Sequence, residues 1–223
     1  MPRTARIAPG GVIYHVLNRG VGGTTLFRSA GDYLAFHGAL IDTLALFPTM
    51  RILAFCIMPN HWHLLLWPTK DGDLARFMQR LTITHARRWL EYRDRVGTGH
   101  VYQGRYKSFA METDGHLFTV GRYVERNALR AGLAKRAELW RFSSIGQELL
   151  EPSLRVPLSD WPIARRRDWI DWVNLPQTPR EEEAIRRSIR EARPYGSEAW
   201  VKRTMTKLGW REPARPGRPK KPK

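Results

Sequence analysis

One cysteine, Cys56, is all that 223 residues carry, so no internal disulfide can form and a reducing, cytoplasmic location beside the nucleoid is expected. Acidic residues are also scarce. Asp and Glu number 21 against 38 Lys and Arg, a net charge of +17 that suits a polyanionic partner and makes nucleic acid the favoured one. Long apolar runs are missing as well: none approaches the ~18 residues of a spanning helix. The opening MPRTARIAPGG lacks the apolar stretch of a signal peptide, so no membrane partner is expected. No GxxxxGK[ST] phosphate loop occurs, so no nucleotide cofactor is expected, and there is no internal repeat. What is present is ample apolar material, 42% of residues, enough for a folded catalytic domain and a smaller appendage.

Residues Gly11 to Gly20 read as a strand entering a Gly-rich loop, and apolar residues from Asp32 to Phe47 recur at helical spacing before Pro48. Met50 to Met58 and His61 to Trp67 are two apolar runs split by Pro59-Asn60, a hairpin expected at the centre of the sheet. A helix from about Leu74 to Tyr92 follows, then a strand from His100 to Met111. The next helix runs from a Thr113 or Asp114 N-cap to a Gly132 stop signal. This β-α-β-β-α-β-α order predicts an α+β fold, a split βαβ, ferredoxin-like, largely antiparallel sheet with helices on one face. Composition shifts near Leu150, where prolines and Trp161, Trp169 and Trp172 cluster. The expected division is a catalytic domain over 1–150 and a helical, basic DNA-binding extension over 151–223, with helices at Arg180 to Arg193 and Ser197 to Leu208.

His61 and His63 are two apart on a strand, so both leave the same face while Trp62 enters the other. Two adjacent imidazoles can share a divalent ion. An HxH alone is a weak signal, but histidine in a buried apolar hairpin needs a partner. In GRYVERNALRAG, Tyr123 and Asn127 stand four apart on one helical face that borders the Val120/Val124 core stripe. Asn is a poor choice for a helix interior, and an amide oxygen aimed at a metal would account for it. Either residue alone would more commonly be packing or surface. Two rival tyrosines, Tyr102 and Tyr106, precede this helix. His15, His37, His85, His100 and His116 have no partner at metal spacing and read as structural or surface residues.

MPNHWHLLLWP resembles the His-hydrophobic-His signature of single-tyrosine HUH transposases, and VYQGRYKS and RYVERNALRAGL resemble blocks of the REP-associated tyrosine transposases. The likeness spans roughly Gly11 to Ser144. It departs at Asn127-Ala128, where the family usually has Asn-Pro. The resemblance implies that Tyr123 is the nucleophile, that His61, His63 and Asn127 hold the metal, and that substrates are imperfect palindromic hairpins cut near the foot on one strand. A hard carbonyl oxygen beside two imidazoles suits Mg²⁺ or Mn²⁺. Attack by tyrosine on a phosphodiester gives a 5′-phosphotyrosine and a free 3′-OH, so rejoining needs no ATP.

DNA-contacting candidates are Arg19, Arg105 and Lys107, with Arg218, Lys220 and Lys221 in a tail whose PGRPKK resembles an AT-hook core. Three classes of function remain: a tyrosine strand transferase on single-stranded or hairpin DNA, a metal-dependent nuclease using water, and a non-catalytic hairpin-binding protein. One tyrosine per chain is compatible with a monomer or a homodimer.

Overall fold

Side-chain alternation in the apolar hairpin decides the layering of the whole molecule. In the computed structural model, which describes residues 7–210, β2 (Met50–Met58) and β3 (His61–Pro68) pair antiparallel across Pro59-Asn60. Strand β1 (Ile13–Arg19) lies between β3 and β4 (Lys107–Met111), so the sheet order is β2-β3-β1-β4 and every neighbour is antiparallel. Trp62, Leu64 and Leu66 leave one face of β3 and join a core with Phe36 and Leu40 of α1 (Ala30–Ala45) and Phe77 and Leu81 of α2 (Asp73–Tyr92). Ser29 starts α1 with a reciprocal capping box to Asp32. These six elements are the expected α+β, split βαβ unit.

Four expectations change. Helices cover both faces of the sheet, not one. Leu65 of β3 and Cys56 of β2 point away from α1 and α2 and pack with Leu117, Val120 and Val124 of α3 (Gly115–Glu125) and Ala128 of α4 (Asn127–Arg130). These last two replace the single helix read from Asp114 onward; Arg126 joins them in helical conformation. Next, β2 is an edge strand, not a central one. It reads as apolar on both faces because the chain from 140 to 161 covers it: Phe142 and Ser144 exchange backbone hydrogen bonds with Ile57 and Phe55, and Ser159 donates to Ile52 at 2.8 Å. Finally, residues 100–106 form a loop bridged to the sheet only at Gly20 and Tyr102, because the Tyr102 side chain turns into the core, where its hydroxyl meets Trp62 and His85.

The chain after 150 is bound to this frame at both edges. Trp161 donates to the Leu53 carbonyl at 3.0 Å and its ring lies on Gly121, where a Cβ would come within 2.3 Å of it. Only glycine admits that approach. On the far edge, Tyr195 exchanges two 2.9 Å backbone hydrogen bonds with Ala110 and Glu112 of the β4 end. Between these points run α5 (Trp169–Asn174) and α6 (Pro179–Glu191), and α7 (Glu198–Lys207) follows. Arg122 and Arg126 donate to the carbonyls of residues 173–176, where α5 ends, so these two cations of α3 and its end hold structure together. No helix among the described residues is long and apolar enough to cross a membrane.

His85, inside the first core, makes the fold sensitive to acid. Its Nδ1 sits 2.6 Å from the Tyr102 hydroxyl and its ring packs on Phe27 and Phe36. Burial, with Arg93 nearby, lowers its pKa from 6.5 to about 3. The unfolded chain therefore takes up a proton that the folded chain refuses. The stability this neutral histidine contributes is fully present above pH 6.5 and is lost as pH falls from there toward 3. Urea unfolding between pH 7 and 4 should show it: relative to wild type, His85→Leu should flatten the pH slope by up to about 1.4 kcal/mol per pH unit. Parallel curves would remove His85 from the acid response.

Candidate active site

The alternation that sends Trp62 into one core sends His61 and His63 to the α3 face. There β1 faces them: Leu17 is opposite His63 and Arg19 opposite His61. Helix α3 lays Tyr123 over this patch, with its ring edge-on to His63 at 5.9 Å between centroids. The histidine rings are themselves 5.0 Å apart and nearly perpendicular. A cleft of about 450 Å³ opens here, lined by Leu17, Arg19, Asn60, His61, His63 and Tyr123 on one side and by Arg130, Arg186, Ile189 and Arg190 on the other. Among the described residues no carboxylate lines it. The fold thus brings together His61, His63, Tyr123 and Arg19 from three separate stretches of the sequence, β3, α3 and β1.

Both histidines are held neutral. Burial first, then the charges of Arg19 and Arg130, lower His61 from 6.5 to about 4. Burial lowers His63 well below 6.5, helped by His15, His61 and Arg130. Neutral imidazoles are the form that binds a metal. His61 Nδ1 lies 2.7 Å from Asn60 Oδ1, and His63 Nδ1 lies 2.8 Å from His15 Nε2. Each ring has one nitrogen engaged, leaving its Nε2 for another ligand. The donor set therefore fits a divalent cation at two positions.

Asn127 sits differently from that pair. It is fully buried, its Oδ1 accepts from Arg130 at 2.5 Å, and its Nδ2 has no partner among the described residues. The same Arg130 nitrogen lies 3.4 Å from the Tyr123 hydroxyl, and the guanidinium stacks 4.9 Å from the centre of that ring. Arg130 also faces Glu182 of α6 at 3.8 Å.

The rival tyrosines lie elsewhere. Tyr102 is buried in the α1/α2 core, its hydroxyl occupied by Trp62 and His85. Tyr106 and Arg105 line a different groove, of about 750 Å³, between α2 and the 100–106 loop. Lys107 is exposed at the start of β4. Arg218, Lys220 and Lys221 lie outside the described residues. Sequence reading missed His15, Arg130, Arg186 and Arg190. Arg130 follows Asn127 by one helical turn, and Arg186 and Arg190 share a face of α6, but nothing in the spacing alone relates either to the HxH. His15, read as having no partner, has one in His63. Among the described residues Glu112, Asp114 and His116 form one further group with metal-ligating atoms close together, half-buried at the start of α3 and remote in sequence from the HxH.

Residues 31–127, a stretch that holds His61, His63, Tyr123 and Asn127, match the family model described as "Transposase IS200 like". That segment, somewhat under half of the chain, is similar to the IS200-like transposases. It begins within α1, so β1 with His15 and Arg19 lies before it, and the α6 wall of the cleft lies beyond it. Among solved structures the chain is similar to a REP-associated tyrosine transposase bound to a REP hairpin: 19% identity, 74% of this chain and 98% of that one covered, TM-score 0.53. That likeness shows a shared fold. A protein from Deinococcus radiodurans R1, described as a candidate transposase, aligns at 17% identity over 56% of this chain and 94% of its own, with a TM-score of 0.39. No curated protein matches the chain.

Proposed function

We propose that this protein nicks and rejoins single-stranded or hairpin DNA through a covalent bond to Tyr123, with a divalent cation held by His61 and His63. The observation that carries this reading is the placement of the Tyr123 ring edge-on to His63, in one cleft with the free faces of both histidines. In the reaction the Tyr123 hydroxyl oxygen bonds to phosphorus, the bond to the 3′-oxygen breaks, and the phenol proton is balanced by the one the 3′-OH gains. The chain is left with a 5′-phosphotyrosine, and reversal by another 3′-OH rejoins the strand. Bound Mg²⁺ or Mn²⁺ would neutralise charge developing on the phosphate. Arg130 lies 3.4 Å from the Tyr123 hydroxyl, and Arg19, Arg186 and Arg190 line the cleft a phosphodiester would enter, the last two also paired with Glu182 and Glu183. Asn127, whose oxygen accepts from Arg130, would complete the ligand set if that bond gave way on DNA binding.

The hairpin that the solved relative binds is the natural first substrate to try. Incubation of the protein and Mn²⁺ with end-labelled hairpin DNA should give a denaturant-stable protein–DNA adduct. Cleavage without an adduct would select water as nucleophile, and binding without cleavage would select the non-catalytic reading.

The tail should add affinity more than chemistry. Deleting Arg211 to Lys223 removes six basic residues (Arg211, Arg215, Arg218, Lys220, Lys221, Lys223) against one acidic, Glu212. Hairpin binding should weaken and its salt dependence become shallower, because fewer counterions are released, while cleavage at saturating protein survives. Unchanged affinity and salt slope in the truncated protein would make the tail irrelevant to binding.

A further inference from the structure

His15 is fully buried in the α3-side core and, among the described residues, makes one polar contact. It stands on β1 opposite Leu65 and Phe109, which makes His63 its diagonal neighbour on β3. Its Nε2 lies 2.8 Å from His63 Nδ1, and the two rings are nearly parallel, 13° apart. The other nitrogen, Nδ1, has no partner among the described residues; Phe109 and Tyr123 pack around the ring. A leucine or phenylalanine would fill this position and remove the unpartnered Nδ1, so packing alone gives no reason for an imidazole here. What it gains is control over its neighbour.

Two proton arrangements satisfy the pair. If His15 Nε2–H donates, His63 carries its own hydrogen on Nε2 and cannot hold a cation there. If His63 Nδ1–H donates to His15 Nε2, the lone pair of His63 Nε2 is free, with the ring fixed in the cleft wall. Metal-binding imidazoles are as a rule held in this second way, by a hydrogen bond from the other ring nitrogen. Asn60 Oδ1, an acceptor 2.7 Å from Nδ1, does the same for His61.

We propose that His15 accepts the His63 Nδ1–H bond and thereby sets the tautomer and orientation of His63 for divalent-cation binding. It is a positioning residue, supplied by a strand outside the family-matched segment. The inference rests on the reading of His61 and His63 as ligands, and the test separates the two. Full-length protein stripped with EDTA is titrated with Mn²⁺ by calorimetry as wild type, His63→Ala, His15→Leu, His15→Phe and His15→Gln. The binding step that disappears in His63→Ala defines the site and distinguishes it from any Mn²⁺ taken by Glu112, Asp114 and His116. His15→Leu should weaken that step about 10- to 100-fold with a melting temperature close to wild type, since one unpartnered imidazole nitrogen, His15 Nδ1, is exchanged for another, His63 Nδ1. His15→Phe, which keeps an aromatic ring, should do the same and stands in if the leucine variant does not fold. His15→Gln, whose amide oxygen can accept the same bond, should stay close to wild type. Wild-type Mn²⁺ affinity in the folded Leu or Phe variant overturns the role of His15, as does a glutamine variant as weak as either. Undiminished binding in His63→Ala instead overturns the ligand pair, and with it anything for His15 to position.

Discussion

Tyr123→Phe is expected to fold and bind hairpin DNA as wild type does, yet to form no covalent adduct, a loss on the order of 10³-fold or more. The substitution removes one oxygen. Among the described residues that oxygen's hydrogen bond is with Arg130 at 3.4 Å, and Arg130 keeps its shorter bond to Asn127, so the packing of α3 on the sheet has no reason to change. The ring contacts to His63 and His15 also survive in phenylalanine. Chemistry, by contrast, loses its nucleophile, and among the described residues the cleft lining holds no Ser, Thr, Cys, Asp or Glu to form a covalent bond in its place. The rival tyrosines separate cleanly. Tyr102→Phe should cost about 1–3 kcal/mol of stability by leaving Trp62 and His85 without their buried partner, and should still form the adduct. Tyr106→Phe should form it too. Mass spectrometry of the trapped wild-type complex should place the nucleotide on the peptide containing Tyr123. An adduct that persists in Tyr123→Phe, or maps to Tyr102 or Tyr106, would show that the nucleophile lies elsewhere.

His61→Ala and His63→Ala should each lower adduct formation on the order of 10²-fold or more, since electrophilic help at a phosphate is among the largest single contributions to such reactions. EDTA should do the same to the wild type. His61 is the cleaner probe. It is half-buried, and its only hydrogen bond among the described residues is to the adjacent Asn60, so the variant should retain its fold and its DNA affinity. His63 is buried against His15, so its removal leaves a second imidazole nitrogen unpartnered and should also lower the melting temperature. Added Mn²⁺ should restore activity after EDTA in wild type and not in either variant. Full activity in EDTA would sink the cation reading, whatever the histidines touch.

Much of this site is local in sequence and therefore readable there. Period-two alternation puts His61 and His63 on the face opposite Trp62, which follows from backbone geometry within a single element; the Tyr123–Asn127 spacing instead spans the junction of α3 and α4, and Asn127 is buried outside the cleft lining. The hairpin bounds, α1, α2 and the βαββαβ order were legible for the same reason, because apolar periodicity and turn residues act over a few neighbours. Charge composition is a sum over the chain and needs no fold at all. What stayed hidden is whatever depends on two elements meeting. The strand order decided that β2 is an edge, and its fully apolar character reflects a cover supplied by residues 140–161, about a hundred positions away. Register decided that His15 meets His63, since a diagonal cross-strand neighbour leaves no trace in linear spacing. The docking of Trp161 on Gly121 and of Tyr195 on the β4 edge decided that α6 walls the cleft and brings Arg186 and Arg190 to it. The helix carrying Tyr123 was visible in the chain; that it crosses the face bearing the histidines was settled only when α1 and α2 had filled the other one.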